Sequence, residues 1–128
     1  MSLDDRPQYL PPTLRPNHRY MAYQVLSEKK VSFDDIVNAM WHSIMNFAGE
    51  LGASESRVWI LRNMWDPEKQ LGLLRCEHNS VEEIRAALAL VQRVGEMPIV
   101  IKVLGISGTA KAARQKFFGE RTLTSYTA

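Results

Sequence analysis

From Phe33 onward, Ile36, Val37, Met40, Trp41, Ile44, Met45 and Phe47 recur at helical spacing, while the segments on either side change to a period of two. A chain that alternates these two periods has to lay helix stripes against a sheet face. The first period-two segment is His18–Ser27, rich in β-branched and aromatic residues, with Met21, Tyr23 and Val25 on one face. Ser32 is placed to cap the helix, and Asp34 and Asp35 fall in its first turn, where carboxylates suit the helix dipole. Gly49 and Gly52 mark its end. A second strand spans 57–65, Asp66-Pro67 opens a turn, and 71–78 forms a third strand. Ser80 with Glu83 reads as a capping box that starts a second helix through Ile84, Ala87, Leu88 and Val91, ended by Gly95. Pro98 begins a fourth strand, and Gly108 and Thr109 start a third, basic helix containing Lys111, Arg114 and Lys116.

The resulting order, β-α-β-β-α-β-α, predicts an α+β fold. Its first six elements (βαββαβ) are the ferredoxin-like arrangement, the α/β sandwich of RNA-recognition-type domains, here with an extra C-terminal basic helix. Right-handed crossovers make it a four-stranded antiparallel sheet with two helices on one face. Strand parity places Met21, Tyr23, Val25, Ile60, Leu74, Ile99, Ile101 and Val103 beneath those helices. The other face then carries Tyr20, Ala22, Leu26, Trp59, Leu61, Trp65, Leu73, Val100 and Leu104, which is too apolar to be left in water. The third helix is expected to cover part of it and a protein partner the rest, through Tyr20, Trp59, Leu61, Trp65 and Leu73.

Residues 1–17 form an extended arm, because Pro7, Pro11, Pro12 and Pro16 forbid a helix interior. Residues 18–118 form the ferredoxin-like domain, and 119–128 a flexible tail. Cys76 is the one cysteine, so no intrachain disulfide forms. With no apolar signal core and no membrane-length apolar run, a cytoplasmic location is expected. The net charge of +2 is uneven: +2 over 1–30, −4 over 31–99 and +4 over 100–128. An anionic partner would meet the C-terminal part and the arm.

The histidines, His18, His42 and His78, give no catalytic constellation. Cys76 and His78 share a strand face, but no second pair completes a metal site. The segment from Leu104 to Lys116 is more informative. Gly105 and Gly108 allow close backbone approach, Ser107 or Thr109 can cap the helix, and its first N–H groups with Lys111 form an anion site. The spacing Gly105-x-x-Gly108-x-x-Lys111 is not a Walker A loop. The third strand has no aromatic residue, so base stacking on the first and third strands is poorly supported, and phosphate recognition by loops, arm and basic helix is preferred.

The stretches YLPPTLRPNHRYMAYQVLSE, VNAMWHSIMNFAGELGAS, GLLRCEHNSVEEIRAALALV and VLGISGTAKAARQKF occur in that order from Tyr9 to Phe118. Together they resemble the archaeal ribonuclease P protein component 2 family, related to a small subunit of the eukaryotic enzyme. The resemblance implies a role in removing 5′ leaders from precursor tRNA, in which the RNA subunit is the catalyst and this chain an accessory, not catalytic by itself. It implies ribonuclease P RNA and protein component 3 as partners, self-association within a heterotetramer, and indirect contact with precursor tRNA. No cofactor is expected for the chain itself, while Mg²⁺ is expected for the RNA-containing holoenzyme. Charge, helix position and resemblance together nominate Arg15, Arg19, Arg75, Ser107, Gly108, Thr109, Lys111, Arg114 and Lys116 for RNA binding. The competing readings are a ferredoxin-like small-molecule-binding domain and a pure protein-assembly adaptor.

Overall fold

A computed structural model describes residues 17–118. The first strand, β1 (His18–Ser27), has the bounds its alternation predicts. It leads into α1 (Phe33–Ser56), whose N-cap Ser32 accepts a hydrogen bond from the Asp35 N–H. Two strands follow, β2 (Trp59–Asp66) and β3 (Leu71–Glu77), joined by a turn in which the Asp66 carboxylate accepts from the Glu68 and Lys69 N–H groups. Then come α2 (Val81–Ala89), the two-residue strand β4 (Arg93–Val94), β5 (Met97–Ser107) and α3 (Ala110–Phe117). The strands form a five-stranded antiparallel sheet in the order β2-β3-β1-β5-β4.

Helices α1 and α2 pack on one sheet face. Met21, Tyr23, Val25, Leu74, Ile99 and Ile101 from the strands meet Ile36, Met40, Ile44, Ile84 and Leu88 from the helices in the main core. Each fully buried side chain of this size contributes about 1.5–3 kcal/mol. On the opposite face α3 builds a second, smaller core from Ala22, Leu73 and Ala113, with Tyr20, Leu61, Met64, Leu104 and Phe117 around it. The expected return of the third helix over the apolar face is what the structure shows.

Several expectations are corrected. The sheet has five strands rather than four, because Gly95 (φ 61°) does not end α2; it turns the chain between β4 and β5 after α2 has stopped at Ala89. Gly49 (φ 78°) kinks α1 without ending it, and helix resumes to Ser56. Ser80 makes no side-chain cap, since a 3₁₀ turn at His78–Ser80 leads directly into α2. Trp65 lies on the helix-facing side, 6.3 Å from the Tyr23 ring and 5.5 Å from the Phe33 ring. The cause is a register shift: Leu61 pairs with Leu73, but the next pair is Asp66 with Leu71, so β2 holds three extra residues and its parity inverts.

Gln70, missed in the sequence, ties the open end of the sheet together. Its buried amide donates to the Val25 carbonyl and the Ser27 hydroxyl, and accepts from the Val31 N–H. The arm up to residue 16, with Arg15, and the tail 119–128 lie outside the described residues.

Candidate functional site

The route from β5 into α3 is set by a bulge. Tyr23 pairs with Val103, but Ala22 pairs with Gly105, so Leu104 is the extra residue. Parity inverts there: Ile99, Ile101 and Val103 face α1 and α2, as does Ile106 beyond the bulge, while Gly105 and Ser107 turn to the other face. The strand thus delivers α3 onto that face. Thr109 caps the helix, accepting from the Ala112 N–H at 3.1 Å. Ala110, Ala113 and Phe117, at helical spacing, pack inward. Lys111, Arg114 and Lys116 are exposed, and no acidic residue stands in the first turn. The result is a basic ridge held by an apolar underside.

The glycines divide by role. A Cβ at Gly105 would come within 2.3 Å of the Phe117 ring, so this glycine seats the chain's own helix rather than a ligand. Around Gly108 a Cβ would meet nothing within 4 Å, which leaves the residue before the helix cap open to a partner.

The register also aligns four of the nominated residues in one row across the sheet. Trp59 on β2 opposes Arg75 on β3, Arg75 opposes Tyr20 on β1, and Tyr20 opposes Ser107 on β5. Arg75 lies over Trp59, its guanidinium carbon 5.9 Å from the ring centre. Arg19 stands one residue before Tyr20, hence on the opposite face, and its guanidinium donates to the His18 carbonyl. It is not part of the row. Among the residues nominated for a protein contact, Trp59 is exposed, Tyr20 and Leu61 are half-buried, and Leu73 is completely buried beneath α3. Leu73 therefore faces this chain's own helix, a placement that strand parity alone does not reveal. The spacing of Ala110, Ala113 and Phe117 was the available signal for it.

Among the described residues no group of three or more His, Cys, Asp or Glu side chains could hold a metal ion. Cys76 is fully buried, and burial, reinforced by the charge of Glu77, pushes its thiol up to about 11, so it stays protonated at neutral pH. His18 Nδ1 lies 3.8 Å from a carboxylate oxygen of Glu77. No helix among the described residues is long and apolar enough to cross a membrane.

This architecture has counterparts. The Rpp14/Pop5 family model matches residues 19–118. A protein named ribonuclease P protein component 2 from Thermococcus gammatolerans is 37% identical over 116 residues, covering 91% of this chain and 95% of its own length. One of the same name from Methanobrevibacter smithii is 38% identical, covering 84% of this chain and 93% of its own. Among solved structures, a chain in the cryo-EM structure of yeast ribonuclease MRP shares the fold. It aligns with a TM-score of 0.59 at 11% identity and covers 88% of this chain and 97% of that one. The family match spans both cores, the cross-strand row and the basic ridge of α3, and on that footing the chain belongs to the Rpp14/Pop5 family.

Proposed function

We propose that this chain is a protein subunit of ribonuclease P that binds and organises the catalytic RNA for removal of 5′ leaders from precursor tRNA. The observation that carries this reading is the basic ridge of α3, with Lys111, Arg114 and Lys116 outward and Ala113 and Phe117 fixed on the sheet. Basic side chains on a rigidly docked helix neutralise backbone phosphates without reading sequence. The relatives named ribonuclease P protein component 2, similar along nearly their whole length, support the same assignment. The order β2-β3-β1-β5, with α1 and α2 against one face, supports the ferredoxin-like, RNA-recognition-type reading of the fold.

The chain's role in that assembly is electrostatic and geometric, and cleavage with its Mg²⁺ belongs to the RNA. The assembly is cytoplasmic and includes protein component 3 and a second copy of this chain. Exposed apolar residues such as Phe47, Leu51 and Leu90 on the helical side support protein partners.

The test is salt-dependent binding of ribonuclease P RNA. Lys111→Ala with Arg114→Ala is expected to lower affinity and reduce the slope of log K against log salt by about 1.5. An unchanged slope would remove α3 from the RNA interface.

A further inference from the structure

The row formed by Trp59, Arg75, Tyr20 and Ser107 has features that packing does not explain. Helix α3 closes over the middle of its sheet face, yet Trp59 remains 60% exposed at one end. Beside it, the buried Nε of Arg75 has no hydrogen-bond partner. At the other end Ser107 is 7% exposed, and its buried Oγ also lacks a partner. Of the five buried side-chain polar atoms without a partner among the described residues, two lie on this row, beside exposed surface where a polar ligand would complete them, and such groups are ordinarily paired. Past Ser107 the surface opens at Gly108, and exposed Lys111 follows in the first turn of α3.

The charges around the row give it a direction. Glu77 follows Arg75 by two residues on the same face, paired across the strands with His18, and its carboxylate disfavours a phosphate on that side. No acidic residue stands in the first turn of α3 beside Ser107. Three interstrand steps separate Trp59 from Ser107, about 14 Å at the usual strand spacing. That is room for a base at one end and a phosphate at the other.

We propose that this row binds a short unpaired RNA segment, one base stacking on Trp59 and a backbone phosphate lying between Ser107 and Lys111. The inference rests on the RNA-binding reading above and narrows it to a single-stranded ligand. Stacking on an exposed aromatic tolerates any base, because every base has a π-face. The Arg75 guanidinium beside the ring adds a planar cation that suits the same ligand.

The probes are hexa-adenylate RNA and an abasic ribose-phosphate chain of equal length, bound to the full chain. Hexa-adenylate should quench a tryptophan emission component that is missing in Trp59→Phe. Trp59→Ala should weaken hexa-adenylate binding about tenfold, leave abasic binding and the salt slope as they were, and melt as the parent does. Trp59→Phe, which keeps a stacking face, should recover most of the affinity. The platform is refuted if Trp59→Ala binds hexa-adenylate like the parent, or if the parent binds the abasic chain equally well. It is also refuted if added protein subunits, without RNA, shield Trp59 from a soluble quencher. Any of these results alongside salt-dependent binding of ribonuclease P RNA sinks the platform alone; loss of all RNA binding by the parent chain sinks the functional reading with it.

Discussion

Replacing Gly72 with valine is expected to destabilise the chain by at least about 3 kcal/mol and lower its melting temperature by roughly 15 °C. Gly72 on β3 directly opposes Tyr23 on β1, and the tyrosine ring lies across the glycine. A Cβ at Gly72 would sit 2.3 Å from both Cζ and the hydroxyl of Tyr23. Tyr23 cannot yield, because it is completely buried and stacked near Trp65 in the main core. Its hydroxyl has no partner there, and burial pushes its ionisation well above the ordinary phenol range. A side chain at position 72 must therefore either force the strands apart or expel the largest fully buried residue of the core. Gly108→Ala is the contrast, since a Cβ there meets nothing, and its melting temperature should stay within a degree or two of the parent. Thermal denaturation of the two variants side by side checks both. If Gly72→Val melts like the parent, the packing of Tyr23 against β3 is wrong.

Converting Ala113 to arginine should release α3 while leaving the main core folded. Ala113 is fully exposed to no solvent at all, being 0% accessible, and it sits against Ala22 and Leu73. An arginine cannot fit there, and its charge cannot be buried unpaired. Detaching α3 uncovers Leu73, Leu61 and Met64, so the chain should gain dye-accessible apolar surface and a concentration-dependent tendency to associate. Loss of this second core should cost about 2 kcal/mol, or roughly 10 °C in melting temperature. RNA binding should weaken as well, because Lys111, Arg114 and Lys116 lose their fixed positions. Circular dichroism with a sheet signal retained, combined with increased dye binding, identifies this outcome. A variant with the parent's melting temperature and unchanged dye binding would show that α3 does not depend on this contact.

How far the sequence could be read followed from whether a rule was local. The alternation in His18–Ser27 and the Ser32 cap before Phe33 depend on neighbours in the chain, and both appear as expected. The excess of apolar residues on the second sheet face required a cover, and α3 supplies it. Face assignments held only while strand register ran unbroken. The extra residues in β2 turned Trp65 to the other side, and the bulge at Leu104 did the same for the end of β5. Neither insertion leaves a composition signal, since it is defined by the partner strand. Gly49 and Gly95 were legible as breaks, but a glycine does not say whether helix resumes, as after Gly49, or whether it is the turn of a hairpin, as Gly95 is between β4 and β5. For the candidate site, the basic residues of α3 could be named from spacing. The row joining Trp59, Arg75, Tyr20 and Ser107 could not, because residues from four strands meet only once the register is known.

The most direct measurement is cleavage of precursor tRNA by ribonuclease P RNA at limiting Mg²⁺, with and without this chain and protein component 3. Faster cleavage with both proteins, and none when the RNA is omitted, is the expected result. No stimulation by correctly folded proteins, or cleavage by the proteins alone, would contradict the account.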